Sequence, residues 1–191
     1  MKLVFATHNK NKFREVKNMM PDHINLLSLN DIDCQDDIPE TATTIEGNAL
    51  LKSRFIKKNY KIDCFADDTG LEVEALNNAP GVYSARYAGP DCKAEDNISK
   101  LLSELDQFAN KKARFKTAIS LSIGENEIMF LGICKGKIIE SPKGNMGFGY
   151  DPIFQPDGFK STFSEMLLEQ KSEIGHRGKA IRKLIEYLSG V

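Results

Sequence analysis

The amino-acid sequence predicts an α/β fold, a mixed β-sheet flanked by helices. Two short apolar runs, at 2–6 and 64–66, suit buried strands, and segments with helical spacing lie between them. Between 115 and 123, apolar residues take alternate positions with polar side chains between them, which indicates antiparallel strands with one wetter face. A parallel first part and an antiparallel middle together predict a mixed sheet.

The first third of the chain is predicted to alternate strands and helices. After the strand at 2–6, apolar residues recur at helical spacing from Phe13 to Met20. Pro21 ends that helix because proline lacks the N–H donor that a helix interior needs. Residues 29–41 are acidic and irregular. This order is typical of parallel strands joined by helices.

A second helix is predicted from a capping box. Thr43 lies three residues before Glu46, so these two side chains can satisfy backbone N–H groups at the start of a helix that runs to about Asn59. The strand at 64–66 follows this helix, and we expect it to end abruptly at Asp67.

The rest of the chain predicts a meander and a closing helix. An apolar face at 98–108 suits a helix that precedes the alternating strand at 115–123. A second strand at 128–134 is expected to end where Lys135-Gly136 turns the chain. A helix at 177–189 closes the sequence. We expect a cleft where the two halves of the sheet meet.

Composition excludes several classes of function. The chain has 191 residues, with 26 basic and 27 acidic side chains, and its net charge of −1 offers no general attraction to nucleic acid or an anionic membrane. No apolar run approaches the ~20 residues that span a bilayer, and no signal-peptide core is evident. The four cysteines lack metal-ligand spacing, which favours reduced thiols in a cytoplasmic protein. The length fits a single domain, residues 1–191, with two lobes.

The first candidate site is the polar segment from Thr7 to Lys12. It lies between a predicted strand end and a helix start, where free N–H groups and a partial positive charge favour phosphate. Thr7 and Asn9 add short hydrogen-bonding groups, while Lys10 and Lys12 add charge. A polar helix cap with solvated lysines would have the same composition, so both interpretations stay open.

The second candidate site is Asp67-Asp68-Thr69-Gly70, predicted at the carboxyl end of a buried strand. Ligands of α/β folds bind at that end of the strands. Adjacent carboxylates repel each other unless water or a cation screens them, which favours Mg²⁺. Successive residues of an extended chain point to opposite sides, so one aspartate is expected to face the metal while the other braces the loop. An acidic turn with Gly70 at positive φ is the alternative.

The third candidate site is the glycine-rich segment 144–152, GNMGFGYDP. Glycines let the backbone approach a ligand closely, and an aromatic side chain between them can lie flat on a purine. A surface turn whose aromatic side chains cover the edge of a core would also match this composition.

The fourth candidate site is the basic segment from Lys171 to Lys179, before the predicted closing helix. Its donors suit a purine 6-keto oxygen or a phosphate, although a solvated helix start has a similar composition. Glu40 and Lys52 form a weaker pair, which suits a metal and a phosphate or two ordinary surface charges. Together these segments supply the contacts that a nucleoside triphosphate needs.

With these segments in this order, the chain closely resembles the inosine triphosphate pyrophosphatase family, the dITP/XTP pyrophosphatases. The matching stretches are FATHNKNKFREV, ADDTGLEVEALNNAPGVYSARYAG, GNMGFGYDPIF and SEIGHRGKAIRKL, which run from residue 5 to about residue 184. This resemblance implies an elongated mixed sheet in two lobes, a nucleotide in a central cleft and a homodimer.

The resemblance also implies roles for individual residues. Asp68 would be the catalytic carboxylate and would bind Mg²⁺ together with Glu40. Substrate binding would involve Thr7, His8, Asn9, Lys10, Asn11, Lys12, Lys52, Thr69, Phe148, Gly149, Tyr150, Asp151, Lys171, His176 and Arg177. One departure is Gly47, because many relatives carry an acid at that position, immediately before an asparagine.

The implied activity is Mg²⁺-dependent hydrolysis of ITP, dITP and XTP to the monophosphate and pyrophosphate. A water oriented by Asp68 or Asp67 would attack the α-phosphorus, and donors facing the purine 6-position would reject adenine. Two alternatives stay open, a non-catalytic purine nucleotide sensor on the same scaffold and a pyrophosphatase for other modified nucleotides. No nucleic-acid or membrane partner is expected.

Overall fold

The computed structural model describes residues 1–190 and contains a six-stranded sheet accompanied by five α-helices. In chain order the elements are β1 Lys2–Phe5, α1 Lys10–Lys17, β2 Asn25–Leu27, α2 Ile45–Tyr60, β3 Cys64–Val73, α3 Ala94–Leu105, β4 Lys112–Ile123, β5 Asn126–Ile138, β6 Phe154–Pro156, α4 Leu168–Ile174 and α5 His176–Ser189. The strand order across the sheet is β2-β1-β3-β4-β5-β6. The predicted α/β class is confirmed.

The sheet is mixed, as the sequence predicts. β1 pairs in parallel with β2 and with β3, and Val4 lies opposite both Leu27 and Cys64. Parallel neighbours need a crossover connection, which α1 and α2 supply. β5 pairs with β6 in the antiparallel sense, with Lys137 opposite Gln155.

The chain forms two compact units, and the first comprises Met1–Asp68, Thr117–Gly132 and the chain from Arg177 onward. Its largest core cluster packs apolar residues of α1 and α5 against the sheet, and the rings of Phe5 and Phe65 stack there with centroids 4.6 Å apart. A smaller cluster includes Ile56 of α2 and Ala66 of β3. Two faces of the sheet in this unit are therefore covered by helices.

The second unit comprises Thr69–Lys116 and Ile133–His176. Its core is rich in aromatic side chains, with the Phe115 and Phe154 rings edge to face at 4.8 Å between centroids. Such aromatic pairs add to the stability that burial provides. The strands β3, β4 and β5 contribute residues to both units.

Two predicted strand ends are wrong. β3 does not stop at Asp67 but continues to Val73, so Asp67 and Asp68 lie inside a strand. Lysine and arginine side chains pair with both carboxylates, which reduces the penalty that would otherwise exclude them from a buried strand. β5 likewise passes through Lys135-Gly136 without a turn, because Gly136 continues the ladder opposite Pro156 of β6.

The start of α2 differs from the predicted capping box by one residue. The N-cap is Thr44 rather than Thr43, and its Oγ1 accepts a hydrogen bond from the backbone N–H of Gly47 at 3.0 Å. A Cβ at position 47 would lie too close to the Ala42 and Thr44 side chains, so this turn requires glycine. A larger residue at this position would require the Ala42–Thr44 segment to shift.

The region before the closing helix contains an additional helix that the sequence reading missed. α4 spans only seven residues, Leu168–Ile174, and carries Lys171 on its buried side. Gly175 separates it from α5, which begins at His176, one residue before the predicted start. Short helices of this kind give too few periodic positions for a confident pattern.

Within residues 1–190, no helix combines the length and apolar character needed to cross a membrane. All four cysteines are free thiols: Cys34, Cys64, Cys92 and Cys134. The expectation of unpaired cysteines is confirmed.

Asp63 links the end of α2 to the β4–β5 turn. Its carboxylate accepts hydrogen bonds from Lys57 Nζ at 2.6 Å and from the Gly124 N–H at 3.0 Å. Burial alone would raise the pKa of Asp63, but these donors lower it by a larger amount, so the pKa is below its ordinary value. Asp63→Asn is therefore expected to lower the free energy of unfolding by ~0.5 kcal/mol at neutral pH, since the pair is partly exposed.

The sign of this effect sets its pH window. A lowered pKa stabilises the folded state above the unfolded value of ~3.9, and this stabilisation is lost as the pH falls through the folded value. Urea unfolding of both proteins at neutral pH and near pH 3 measures the difference. An equal difference at both pH values would contradict the charge-based account.

Candidate active site

Asp67 and Asp68 are adjacent on β3, and their side chains have different partners. Asp67 is fully buried and accepts hydrogen bonds from Lys12 Nζ at 3.0 Å and from Arg177 Nε at 3.3 Å. Asp68 accepts from Asn48 Nδ2 at 3.3 Å and lies 3.6 Å from Lys52 Nζ. The alternation of side chains along a strand thus separates the two carboxylates into two environments.

Asp67 lies in a buried ion-pair network. Burial raises the pKa of Asp67, but the charges of Lys12 and Arg177 more than offset this and hold the pKa well below its usual range. The Arg177 guanidinium also pairs with Glu15 of α1. Asp67 is therefore held as an ionised carboxylate between two cations, which suits the bracing role that the sequence predicts for one of the two aspartates.

Asp68 has the opposite electrostatic character. Burial raises its pKa, Lys52 and Lys12 lower it in part, and the like charges of Glu40 and Asp67 raise it further, leaving the pKa above its ordinary value. A carboxylate with a raised pKa accepts a proton more readily, which suits a general base. Of the two aspartates, Asp68 is the one suited to proton transfer.

α2 brings Lys52 to this carboxylate, and Glu40 joins it from the loop that precedes α2. Lys52 is buried, and its Nζ donates to Glu40 Oε1 at 2.7 Å while facing Asp68. Burial lowers the pKa of Lys52, but the three carboxylates around it raise the pKa above its ordinary value. The Glu40–Lys52 pair is thus not an isolated pair of surface charges. It belongs to one group of contacting side chains, called here the aspartate cluster: Lys12, Glu40, Asn48, Lys52, Asp67, Asp68 and Arg177.

The segment from Thr7 to Lys12 forms the cap of α1. Asn9 Oδ1 accepts from the N–H groups of Asn11 at 3.0 Å and Lys12 at 3.1 Å, and Thr7 Oγ1 accepts from Asn9 N–H. His8 Nε2 lies 3.0 Å from the Asp36 carbonyl oxygen. Four of its members are exposed: His8, Asn9, Lys10 and Asn11. The segment is both a polar cap and, through Lys12, part of the aspartate cluster.

In the second unit, an ion pair organises the glycine-rich loop. Asp151 Oδ2 accepts from Lys171 Nζ at 2.6 Å and from the Phe148 N–H at 2.9 Å, and both charged residues are buried. Lys171 Nζ also lies 4.9 Å from the centroid of the Phe148 ring. This arrangement fixes the backbone and the ring of Phe148 with respect to α4.

The other site residues predicted in the second unit have different exposures. Tyr150 and His176 are buried in its aromatic core, where the His176 ring stacks on Phe115 with centroids 4.5 Å apart. Thr69 on β3 and Gly149 in the loop are only partly buried. The ligand contacts that the resemblance implies for these residues stay predictions.

Sequence reasoning missed two residues in or beside the aspartate cluster, Asn48 and Glu15. Asn48 is fully buried, donates to Asp68 and accepts from the Ala42 N–H at 2.9 Å. Glu15 holds Arg177. Asn48 lies four residues before Lys52 on α2, and Glu15 three residues after Lys12 on α1, so helical spacing alone places each on the same face as a predicted site residue.

The carboxylates of Asp68 and Glu40 are the candidate ligands for Mg²⁺. Among residues 1–190, no three histidine, cysteine or acidic side chains form a metal-binding group. Mg²⁺ typically takes one or two protein carboxylates and completes its shell with water and substrate phosphates. Asp68 and Glu40, two hard oxygen donors on one cluster with Lys52, fit that requirement.

Comparison with known proteins decides the family. The model of the Ham1 family matches residues 3–187 of this chain. The chain belongs to the Ham1 family. This agrees with the resemblance found in the sequence, because relatives of this chain in the family are named dITP/XTP pyrophosphatases.

Relatives within the Ham1 family match along the whole chain. The dITP/XTP pyrophosphatase of Christiangramia forsetii is 58% identical over 189 residues, covering 99% of this chain and 100% of the relative. The solved structure of the Staphylococcus aureus Ham1 protein superposes with a TM-score of 0.91 at 39% identity, covering 100% of this chain and 99% of that one. A Coxiella burnetii HAM1 protein gives 0.93 at 34% identity, with 100% of both chains covered.

Proposed function

We propose that this protein hydrolyses non-standard purine nucleoside triphosphates, ITP, dITP and XTP, to the monophosphate and pyrophosphate and so removes them from the nucleotide pool. Full-length relatives named dITP/XTP pyrophosphatases support this assignment. The single observation in the structure that carries it is Asp68, a nearly buried carboxylate of raised pKa that faces Lys52.

The aspartate cluster supplies the groups that pyrophosphate release needs. Asp68 accepts the proton of the attacking water, and Asn48 orients its carboxylate through a hydrogen bond. Lys12 and Lys52 carry positive charge on either side of the aspartate pair and bind the phosphate oxygens. Asp67 is held by Lys12 and Arg177, so we assign the base role to Asp68 alone.

A divalent cation completes the proposal. We assign Mg²⁺ to Asp68 and Glu40, whose carboxylates both face Lys52. When bound, Mg²⁺ supplies neutralisation of phosphate charge and orientation of the pyrophosphate leaving group.

Recognition of the purine is assigned to the second unit. The Asp151–Lys171 ion pair fixes Phe148 at the surface of the glycine-rich loop, where the ring can stack on a base. A hydrogen-bond donor of the protein that faces the 6-keto oxygen finds no acceptor when adenine presents its 6-amino group instead. Such a buried, unpaired donor is worth up to ~10⁴-fold in discrimination.

Three further features belong to this proposal. The substrate is a small nucleotide and not a nucleic acid, which the net charge of −1 supports. A cytoplasmic location agrees with four free cysteines in the described chain. A homodimer, implied by the resemblance, is checked by sedimentation of the purified protein.

An endpoint assay with purified protein tests the activity. ITP, XTP, ATP and GTP are incubated with Mg²⁺ or with EDTA, and pyrophosphate is scored separately from orthophosphate. We expect pyrophosphate from ITP and XTP only with Mg²⁺, and a kcat/KM for ATP at least ~100-fold lower. In ¹⁸O-labelled water the label should enter the monophosphate, because the attack is at the α-phosphorus.

Each other outcome points to a different conclusion. Orthophosphate, or label in the pyrophosphate, would overturn the proposed site of attack. Nucleotide binding without turnover would place the protein among sensors. Faster turnover of modified pyrimidine nucleotides than of ITP would make it a pyrophosphatase of another preference.

A further inference from the structure

Ser84 lies at the centre of a small hydrogen-bond network in the second unit. It belongs to the 3₁₀ segment Gly81–Arg86 and is buried. Its Oγ donates to the Gly81 carbonyl at 2.6 Å and accepts from the Leu71 N–H of β3 at 2.8 Å. The Ser84 side chain therefore ties this segment to β3, two residues beyond Thr69.

The Ser84 carbonyl holds Tyr150 of the glycine-rich loop. The Tyr150 hydroxyl donates to this oxygen at 2.9 Å, across 66 residues of sequence. Tyr150 is 4% exposed and lies in the core of the unit, so its hydroxyl holds the buried side of the loop in place. Phe148 and Gly149, in contrast, are partly exposed.

The loop needs such an anchor because its backbone is intrinsically permissive. Gly147 and Gly149 flank Phe148 and have φ values of +76° and +61°. Glycine reaches many other conformations at little cost, so two glycines around one aromatic ring leave its position poorly defined unless the loop is tied down. The Asp151–Lys171 pair ties the loop to α4, and the Tyr150 hydroxyl ties it to the Gly81–Arg86 segment.

We propose that Ser84 and Tyr150 are positioning residues for purine recognition, acting through the hydrogen bond that holds the Gly147–Asp151 loop. This inference rests on the proposed function, since it assigns the base to Phe148. Neither residue needs to touch the nucleotide. They raise the fraction of molecules in which the loop presents the Phe148 ring to the purine. When only a fraction of the molecules is in this binding-competent state, the apparent affinity is reduced by that fraction.

Tyr150→Phe tests this inference, because it removes one oxygen and keeps the ring in the core. We expect the KM for ITP to rise ~10-fold with kcat changed less than ~3-fold. Tyr87→Phe is the matched control, since Tyr87 lies in the same unit but donates to Glu104 of α3. The control should keep the wild-type KM.

A second variant, Ser84→Ala, removes the bond to Leu71 and should raise KM in the same direction. A merely structural role would reduce the folded fraction, which lowers the apparent kcat of both Tyr150→Phe and Ser84→Ala but leaves KM unchanged. That result would overturn the inference, as would a Tyr150→Phe enzyme indistinguishable from Tyr87→Phe. A wild-type protein that releases no pyrophosphate would instead overturn the proposed function.

Discussion

Asp68→Asn is expected to lower kcat for ITP by ~10³-fold or more, because it removes the general base and one of two proposed Mg²⁺ ligands. The substitution keeps the shape of the side chain and the acceptor for Asn48 Nδ2. Pyrophosphate release under saturating ITP and Mg²⁺ measures the effect. An activity within ~10-fold of wild type would remove Asp68 from the catalytic role.

The stability of the same variant gives an independent check. The pKa of Asp68 is raised in the folded protein, so its ionised form opposes folding at neutral pH. Asp68→Asn should therefore melt at or above the wild-type temperature when measured in EDTA. Asp63→Asn, the same chemical change outside the cluster, is the control and should keep full activity.

Much of the fold was predictable from sequence because its signals are local. Apolar runs, helical spacing and the Pro21 stop are read over windows of a few residues, and they place β1, α1 and the parallel pairing correctly. The predicted end of β3 at Asp67 was wrong for a non-local reason. Charged residues normally terminate a buried strand, and only partners distant in sequence allow this strand to continue.

Those partners also explain which parts of the site could not be predicted. Lys12 lies 55 residues before Asp67, and Arg177 lies 110 residues after it. No spacing rule connects positions so far apart, so the residue pattern alone did not distinguish the two aspartates, and only the family resemblance implied Asp68 as the catalytic one. Asn48 and Glu15 could have been predicted from helical spacing, since each lies on the same helix face as a predicted lysine.

The roles of the Tyr150 and Ser84 side chains show a similar limit. A glycine-rich segment with two aromatic residues suggests that both rings meet a ligand. In the structure one ring is partly exposed and the other is buried with its hydroxyl on Ser84. Burial of one aromatic residue depends on the tertiary position of the Gly81–Arg86 segment, which sequence patterns do not report.

Asp67→Ala is expected to lower the free energy of unfolding by ~3–5 kcal/mol, because it leaves buried cations without their carboxylate. Lys12 and Arg177 both donate to Asp67, and each has a side chain that is largely inaccessible to water. Urea denaturation at neutral pH measures the loss. Asp68→Ala is the matched control, and its loss should be much smaller because Asp68 has the raised pKa.

A second substitution separates lost charge pairing from lost packing. If uncompensated charge causes the instability of Asp67→Ala, adding Lys12→Met should recover part of it, since the double variant removes one of the stranded cations. Purely additive losses would contradict the ion-pair account and assign the effect to the cavity at position 67. Partial recovery would instead support a difference between two neighbouring aspartates on one strand, with Asp67 required for folding and Asp68 required for turnover.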